Sequence, residues 1–360
     1  MDKDILKAAV VLRHRLHRCA ELSGQEKQTK AILIDFLRTH TSLELHDMGA
    51  WFYAVYKAPL NVRTESAPTR RIAFRADFDA LWQTGAPQPV SGRLAAEIDR
   101  HGCRSDILFL FQHAEETGCG APVCQKMITD EKPDIIFGWH NMPGFPAGSV
   151  AVHDGTAAFA SRGLVLSFFG KSSHASQPEN GHNPARAISK LIIDIPELTA
   201  REDHRGIVMA TVVCVRIGEE AFGTNAGFGQ LMLTIRAEFE SELDALDAEI
   251  CARARAYARQ DGITNVEVQY RDSFPETRNT PDAVAAVRKA RLECGLSEAR
   301  WDEPFRSSED FGCYTKLTSG ALFYIGCGTR HAKLHTREYD FNDEIIEPAV
   351  DMMFRLAQDA

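Results

Sequence analysis

Residues 106–116 read Asp106-Ile-Leu-Phe-Leu-Phe-Gln-His-Ala-Glu-Glu116. The near-continuous apolar run from Asp106 to Gln112 suits a strand buried on both faces of a sheet, as in helix-covered parallel sheets. It runs directly into two adjacent carboxylates. Like charges so placed are costly unless a cation lies between them or water reaches them. Taken alone, the pair fits a solvated loop as well as a site. As a site, one carboxylate would serve a metal and the other would act on a bound water as general base.

Three further segments repeat the arrangement. Ile135 to Trp139 is a second apolar run, and His140 follows it in Gly138-Trp-His-Asn-Met-Pro143, so His140 is expected at a strand end. Ile72 to Phe74 leads into Arg75-Ala-Asp-Phe-Asp-Ala80, where alternation puts Asp77 and Asp79 on one face. Ala321 to Ile325 is a fourth buried strand, with His335 in the loop Lys333-Leu-His-Thr336 beyond it. Carboxylates and imidazoles from four strand ends are what a metal site on the C-terminal rim of a parallel sheet requires.

Around these strands, Trp51–Tyr56 and Ile72–Phe74 read as neighbouring strands separated by Pro59–Thr69. The first residues suit an amphipathic helix rather than a signal peptide. Ser23-Gly-Gln-Glu26 has the spacing of a capping box, followed by Ile32, Leu33, Phe36 and Leu37 on one helical face. Leu94–Arg100 and Asp282–Cys294 also suit helices. The expected fold is α/β, a mixed, largely parallel sheet with helices on both faces.

The texture changes after Arg162. Strands at Leu164–Phe169, Ile207–Ile217, Leu231–Phe239 and Val266–Tyr270 alternate with helices opened by Asn183-Pro184 and spanning Leu243–Ala258. This predicts an inserted α+β domain over 163–271, with 1–162 and 272–360 forming the domain that carries the rim. A net charge of -9 without a Lys/Arg stripe disfavours nucleic acid as a partner. No apolar run approaches the roughly 18 residues of a membrane span. Nine scattered cysteines without a CxxC pair indicate neither a disulfide framework nor a zinc ribbon. A cytoplasmic protein acting on a small molecule is expected.

In chain order, LRHRLHRCAELSGQE (12–26), FRADFDAL (74–81), FQHAEETGCGA (111–121), GWHNMPGFPAGSV (138–150), GKSSHASQPENGHNPARA (170–187), SSEDF (307–311) and KLHT (333–336) resemble motifs of the aminoacylase and carboxypeptidase family of two-metal hydrolases. The likeness is to its branch of N-acyl-amino-acid, hippurate and auxin-conjugate amidohydrolases. It implies Glu115 as general base, Glu116, His140 and His335 as ligands of zinc, manganese or cobalt, and Asp79 as an orienting acid. It also implies that the inserted domain is a lid and homodimerisation domain. His174 would reach the partner subunit's site, and Asn225 and Arg236 would bind the substrate carboxylate; Arg236 reads equally as a surface charge on a strand.

The chain departs from that family after Asp79. The family continues to a Cys-Gly-His-Asp motif whose Cys bridges the two metals, whereas here Leu81 leads through Pro87 and Pro89 directly to Ser91. His101-Gly-Cys103 does not replace the motif, because the strand beginning at Asp106 puts it about 20 Å from the glutamates. One or two ions are therefore expected. Two functions follow from the resemblance: a metal-dependent amidohydrolase cleaving an N-acyl amino acid or related conjugate, or a catalytically impaired member acting as a small-molecule binder or dimeric partner.

Overall fold

The computed structural model describes residues 3–59, 70–79, 90–301 and 303–359. Most of the expected connectors Pro59–Thr69 and Leu81–Ser91, including Pro87 and Pro89, lies outside the described residues. The chain divides into two compact units, 1–157 with 277–304 and 309–360, and 158–276 with 305–308.

The first unit opens with α1 (Lys3–Arg18), α2 (Lys27–His40), β1 (Glu44–Asp47), β2 (Phe52–Tyr56), β3 (Arg71–Asp77), α3 (Val90–His101), β4 (Asp106–Gln112), α4 (Gly120–Glu131), β5 (Ile135–Pro143), β6 (Val150–Ala151) and β7 (Gly155–Ala158). The second unit contains β8 (Ala160–Phe169), β9 (Ser173–His174), α5 (Ala185–Thr199), β10 (Val208–Ile217), β11 (Thr224–Asn225), β12 (Phe228–Ala237), α6 (Glu240–Gln260) and β13 (Asn265–Phe274). The chain then returns to the first unit through β14 (Thr277–Asn279), α7 (Pro281–Glu293), α8 (Gly312–Thr315), β15 (Ser319–Gly328) and α9 (Ile346–Asp359).

The large sheet has the order β1-β2-β4-β3-β5-β15-β6. Its four central strands, β4, β3, β5 and β15, run parallel, and the outer strands add antiparallel pairings. Every residue of β4 is buried, as its uninterrupted apolar run demands. Phe74 stacks on Phe109 and Phe137 at ring distances of 6.2 and 6.0 Å, and this face shares a core with α1, α2, α3, α7 and α9. Each such aromatic contributes about 1.5–3 kcal/mol by leaving water. The other face receives α4 against β4 and α8 against β15.

Three sequence readings need correction. β2 and β3 are not neighbours, because β4 inserts between them, antiparallel to one and parallel to the other. His140 lies within β5, which runs on to Pro143 rather than ending at Trp139. Glu26 sits at the N-cap of α2 without any side-chain capping bond, so Ser23 to Glu26 is not a capping box.

The second unit is a four-stranded antiparallel sheet, β10-β12-β8-β13. Leu164, Leu166 and Phe168 of β8 and Leu231, Leu233 and Ile235 of β12 form its core with Ile188 and Leu191 of α5 and Leu246 and Ile250 of α6. Strand alternation on one sheet face and 3.6-residue spacing on two helices thus converge on a single core. Among the described residues, no helix is long and apolar enough to cross a membrane.

Candidate active site

Parallel register brings the functional segments to one rim. Asp77 lies level with Gln112, and His140 lies level with Tyr324. β4 therefore delivers residues 113–118 beside the ends of β3 and β5. The chain turns sharply there: Ala114 takes the left-handed backbone conformation at φ 50°, and the Ala114 carbonyl accepts from the N–H groups of Cys119 (3.2 Å) and Gly120 (3.0 Å). Gly120 is required, since a Cβ would lie 1.7 Å from the His113 carbonyl oxygen. The turn folds Glu115 and Glu116 back over the sheet edge, while Cys119 stays exposed at the start of α4.

Below the rim is a buried polar cluster centred on Arg75. Its Nε donates to Gln112 Oε1 (3.0 Å), Nη1 to Asp77 (3.0 Å), and Nη2 to Glu309 and Asp310 (both 2.9 Å). Gln112 Nε2 donates to both oxygens of Asp310, at 2.8 and 2.7 Å, and the Tyr314 hydroxyl donates to Gln112 Oε1 at 2.6 Å. The backbone N–H of Ala121 completes Asp310 at 2.9 Å.

Arg75 is the cation that pairs with Asp77, Glu309 and Asp310 here. Burial, followed by the charges of Glu309 and Asp310, pushes the Glu115 carboxyl well above the usual range. Burial, then Asp79 and Asp77, raises Glu116 to about 8. Asp79 is raised to about 6 by burial and then by Asp77, against the lowering pull of the Glu116 and Glu115 N–H groups and Ser23. Asp79 Oδ2 accepts the Glu116 N–H at 3.0 Å, while Asp79 Oδ1 is buried with no partner among the described residues.

The imidazoles lie on the other side of the rim. His140 Nδ1 is 2.7 Å from the Asn141 carbonyl oxygen. Donation through Nδ1 leaves Nε2 with a free lone pair, the usual arrangement of a metal-binding histidine. His335 is placed in the left-handed region at φ 60° on an exposed turn. Partial desolvation and then the charge of His140 lower its pKa, so the two rings are electrostatic neighbours. Tyr324 joins the two sides: its ring lies 6.3 Å from that of His140, and after burial the charges of Glu309 and Glu115 raise its pKa.

Among the described residues, one set of three donors comes within 4.8 Å of one another, Glu115, Glu309 and Asp310, and not Glu116, His140 and His335. Two of that set, Glu309 and Asp310, already accept from Arg75 Nη2 at 2.9 Å. Glu116, His140 Nε2 and His335 would offer a carboxylate and two imidazoles to a divalent cation, a donor set of the type such ions take. The orphaned Asp79 oxygen beside Glu116 agrees with a ligand at this place. Residues 80–89, where the resembled family carries its Cys and His ligands, contain no Asp, Glu, His or Cys.

The other expected residues are in the second unit. His174 is exposed, with Nδ1 2.7 Å from Ser176 Oγ. Asn225 donates to Ser173 Oγ (3.0 Å) and accepts from Asn183 Nδ2 (2.7 Å). Arg236 donates to the Arg306 carbonyl (3.0 Å) and Ser308 Oγ (2.6 Å), so it is half-buried and engaged rather than a free surface charge. Sequence reading gave no role to Arg75, Gln112, Glu309, Asp310 or Tyr314. The available signal was an arginine inside a buried strand, which requires acidic partners.

Residues 73–359 match the model of peptidase family M20/M25/M40. N-acetyldiaminopimelate deacetylases from Bacillus licheniformis and Anoxybacillus flavithermus are 26% and 27% identical over 380 and 387 residues, covering 97% and 96% of both chains in each pair. Two solved structures share the fold at 19% identity and a TM-score of 0.78. One is the Bacillus subtilis YXEP protein, a dinuclear metal binding peptidase from the M20 family, with 99% of this chain and 98% of that one covered. The other is an aminobenzoyl-glutamate utilization protein from Klebsiella pneumoniae, with 99% and 97% covered.

Proposed function

This chain belongs to peptidase family M20/M25/M40 and is a hydrolase of amide C–N bonds, and from that premise we propose that it cleaves an N-acyl amino acid into a carboxylic acid and a free amino acid. The observation that carries the reading is that the Glu115–Glu116 turn follows β4, His140 lies in the C-terminal half of β5 and His335 follows β15, all toward the same end of the parallel sheet. The relatives' shared activity makes N-acetyldiaminopimelate the first substrate to assay, with other N-acetyl amino acids as comparison. The comparisons lend no support to a catalytically impaired binder.

Glu116, His140 and His335 hold a single divalent cation in this proposal, whether zinc, manganese or cobalt. Such an ion would supply Lewis-acid polarisation of water and of the scissile carbonyl. Glu115 takes the proton of the attacking water and returns it to the leaving amine. Glu115 is half-buried at the rim beside Glu309 and Asp310. Asp79 fixes the turn by accepting the Glu116 N–H. In the second unit, Arg236 and Asn225 recognise the substrate carboxylate, and His174 acts at the site of a second copy. The edge strand β10, which leaves Val213 and Val215 exposed, supports dimerisation through that unit.

Glu115→Gln is expected to lower kcat by about 10³-fold, with metal content unchanged. Metal analysis is expected to give close to one ion per chain. Retained turnover in the variant would remove Glu115 from its role, and two tightly bound ions would remove the single-ion reading. A monomer by light scattering at micromolar concentration would remove the role given to His174.

A further inference from the structure

We propose that Glu26 is a positioning residue for the catalytic turn, clamping Ala114 so that Glu115 and Glu116 face the rim; this rests on the proposed roles of those two glutamates. The segment Ser23-Gly-Gln-Glu26 precedes a helix at capping spacing, yet it does no capping. The task falls to Glu21, whose Oε2 accepts the Thr29 N–H at 2.8 Å in the first turn of α2. That releases the Glu26 carboxylate to turn away from its own helix.

Glu26 is 5% exposed, and its Oε1 accepts two backbone N–H groups, from Gly24 at 2.7 Å and from Ala114 at 2.9 Å. The first bond fixes the carboxylate to its own turn. The second reaches across to the one non-glycine residue of the 113–118 turn with positive φ. Left-handed backbone is unfavourable for a residue with a Cβ such as alanine, so it persists only where its surroundings enforce it. A charge-assisted bond from a buried carboxylate to that residue's own N–H is among the stronger hydrogen bonds and suits that task.

A second contact from the same segment reaches the same turn: Ser23 Oγ lies 3.3 Å from Thr117 Oγ1. Asp79 meanwhile holds the Glu116 N–H from the end of β3. The turn is therefore gripped at Ala114, Glu116 and Thr117 by three side chains from two other segments. Removing Glu26 frees Ala114 to relax toward ordinary backbone, which swings the two following glutamates off the rim. Nothing in this requires Glu26 to touch substrate.

Glu26→Ala and Glu26→Gln in the full chain test the clamp. Amide hydrogen exchange of the peptide containing 113–118 is expected to speed up about tenfold in Glu26→Ala and to stay near wild type in Glu26→Gln, whose amide oxygen still accepts. Calorimetric titration with Zn²⁺ is expected to show affinity weakened about tenfold in the alanine variant and restored in the glutamine variant. With N-acetyldiaminopimelate, kcat should fall in Glu26→Ala while KM changes less than twofold. Should Glu26→Ala fail to fold, Glu26→Asp, one methylene too short, is expected to show the same pattern.

Unchanged exchange and metal affinity in the alanine variant would overturn the clamp, as would a glutamine variant damaged as badly as the alanine one. If no protein hydrolyses the substrate, the functional reading fails, while exchange and metal affinity still decide the role of Glu26.

Discussion

Arg75 and Asp79 stand four residues apart at the end of β3, yet their surroundings are built on opposite rules. Around Arg75 the polar atoms are matched: guanidinium to Gln112, Asp77, Glu309 and Asp310, and Gln112 in turn to Asp310 and Tyr314. Around Asp79 they are not. Its Oδ1 is buried without a partner among the described residues, and the Glu116 carboxylate beside it is half-buried. A satisfied buried network rigidifies the fold around it, while unsatisfied donors and acceptors mark where something else binds. The closed cluster thus has the character of a scaffold and the open rim that of the proposed site, although both are assembled from the same acidic residue types.

The sharpest break in that contrast is Arg75→Met. The substitution keeps most of the side-chain volume but leaves Asp310 and Glu309 buried without their cation. Removing one partner of a buried ion pair costs about 3–5 kcal/mol, and that loss should appear as a lowered midpoint in urea unfolding. A loss below about 1 kcal/mol, the size expected of an exposed pair, would show that the cluster is not the closed unit described.

At the open rim the expectation reverses, because a ligand should stabilise what is unsatisfied. Zn²⁺ at a hundredfold excess over its Kd should add about 2.7 kcal/mol, seen as a rise in thermal midpoint that EDTA removes. His140→Ala should abolish most of that rise while changing the metal-free midpoint little, since the ring is only half-buried. A rise that survives in His140→Ala would move the ion elsewhere.

What the sequence disclosed follows the same division. β4 was legible because its apolar run is local, and Glu115, Glu116, Asp79 and His140 stood out as candidates because each follows such a run. Strand order was not: only tertiary pairing puts β4 between β2 and β3. The Arg75 cluster was opaque for a related reason, as its partner Glu309 lies 234 residues away and no local pattern links them. Ser23 to Glu26 misled in a more instructive way. The spacing was right for a cap, but Glu21 satisfied the helix, and the motif served a turn more than eighty residues further on. His335 had no periodicity to announce it beyond its place after a buried strand.

The mildest test separates the two regions within a single hydrogen bond. Tyr314 is fully buried, and its hydroxyl donates to Gln112 Oε1. Tyr314→Phe deletes that donor and leaves no acceptor orphaned, because Gln112 Oε1 still receives Arg75 Nε at 3.0 Å. The cost should therefore lie near the low end for a hydrogen bond, about 1 kcal/mol, with Zn²⁺ affinity and kcat close to wild type. A loss of metal binding out of proportion to the stability change would mean that the scaffold transmits its geometry to Glu115 and Glu116 through Gln112. In that event the two regions form one device, and Gln112, at the end of β4 and one residue before the turn, would be the joint between them.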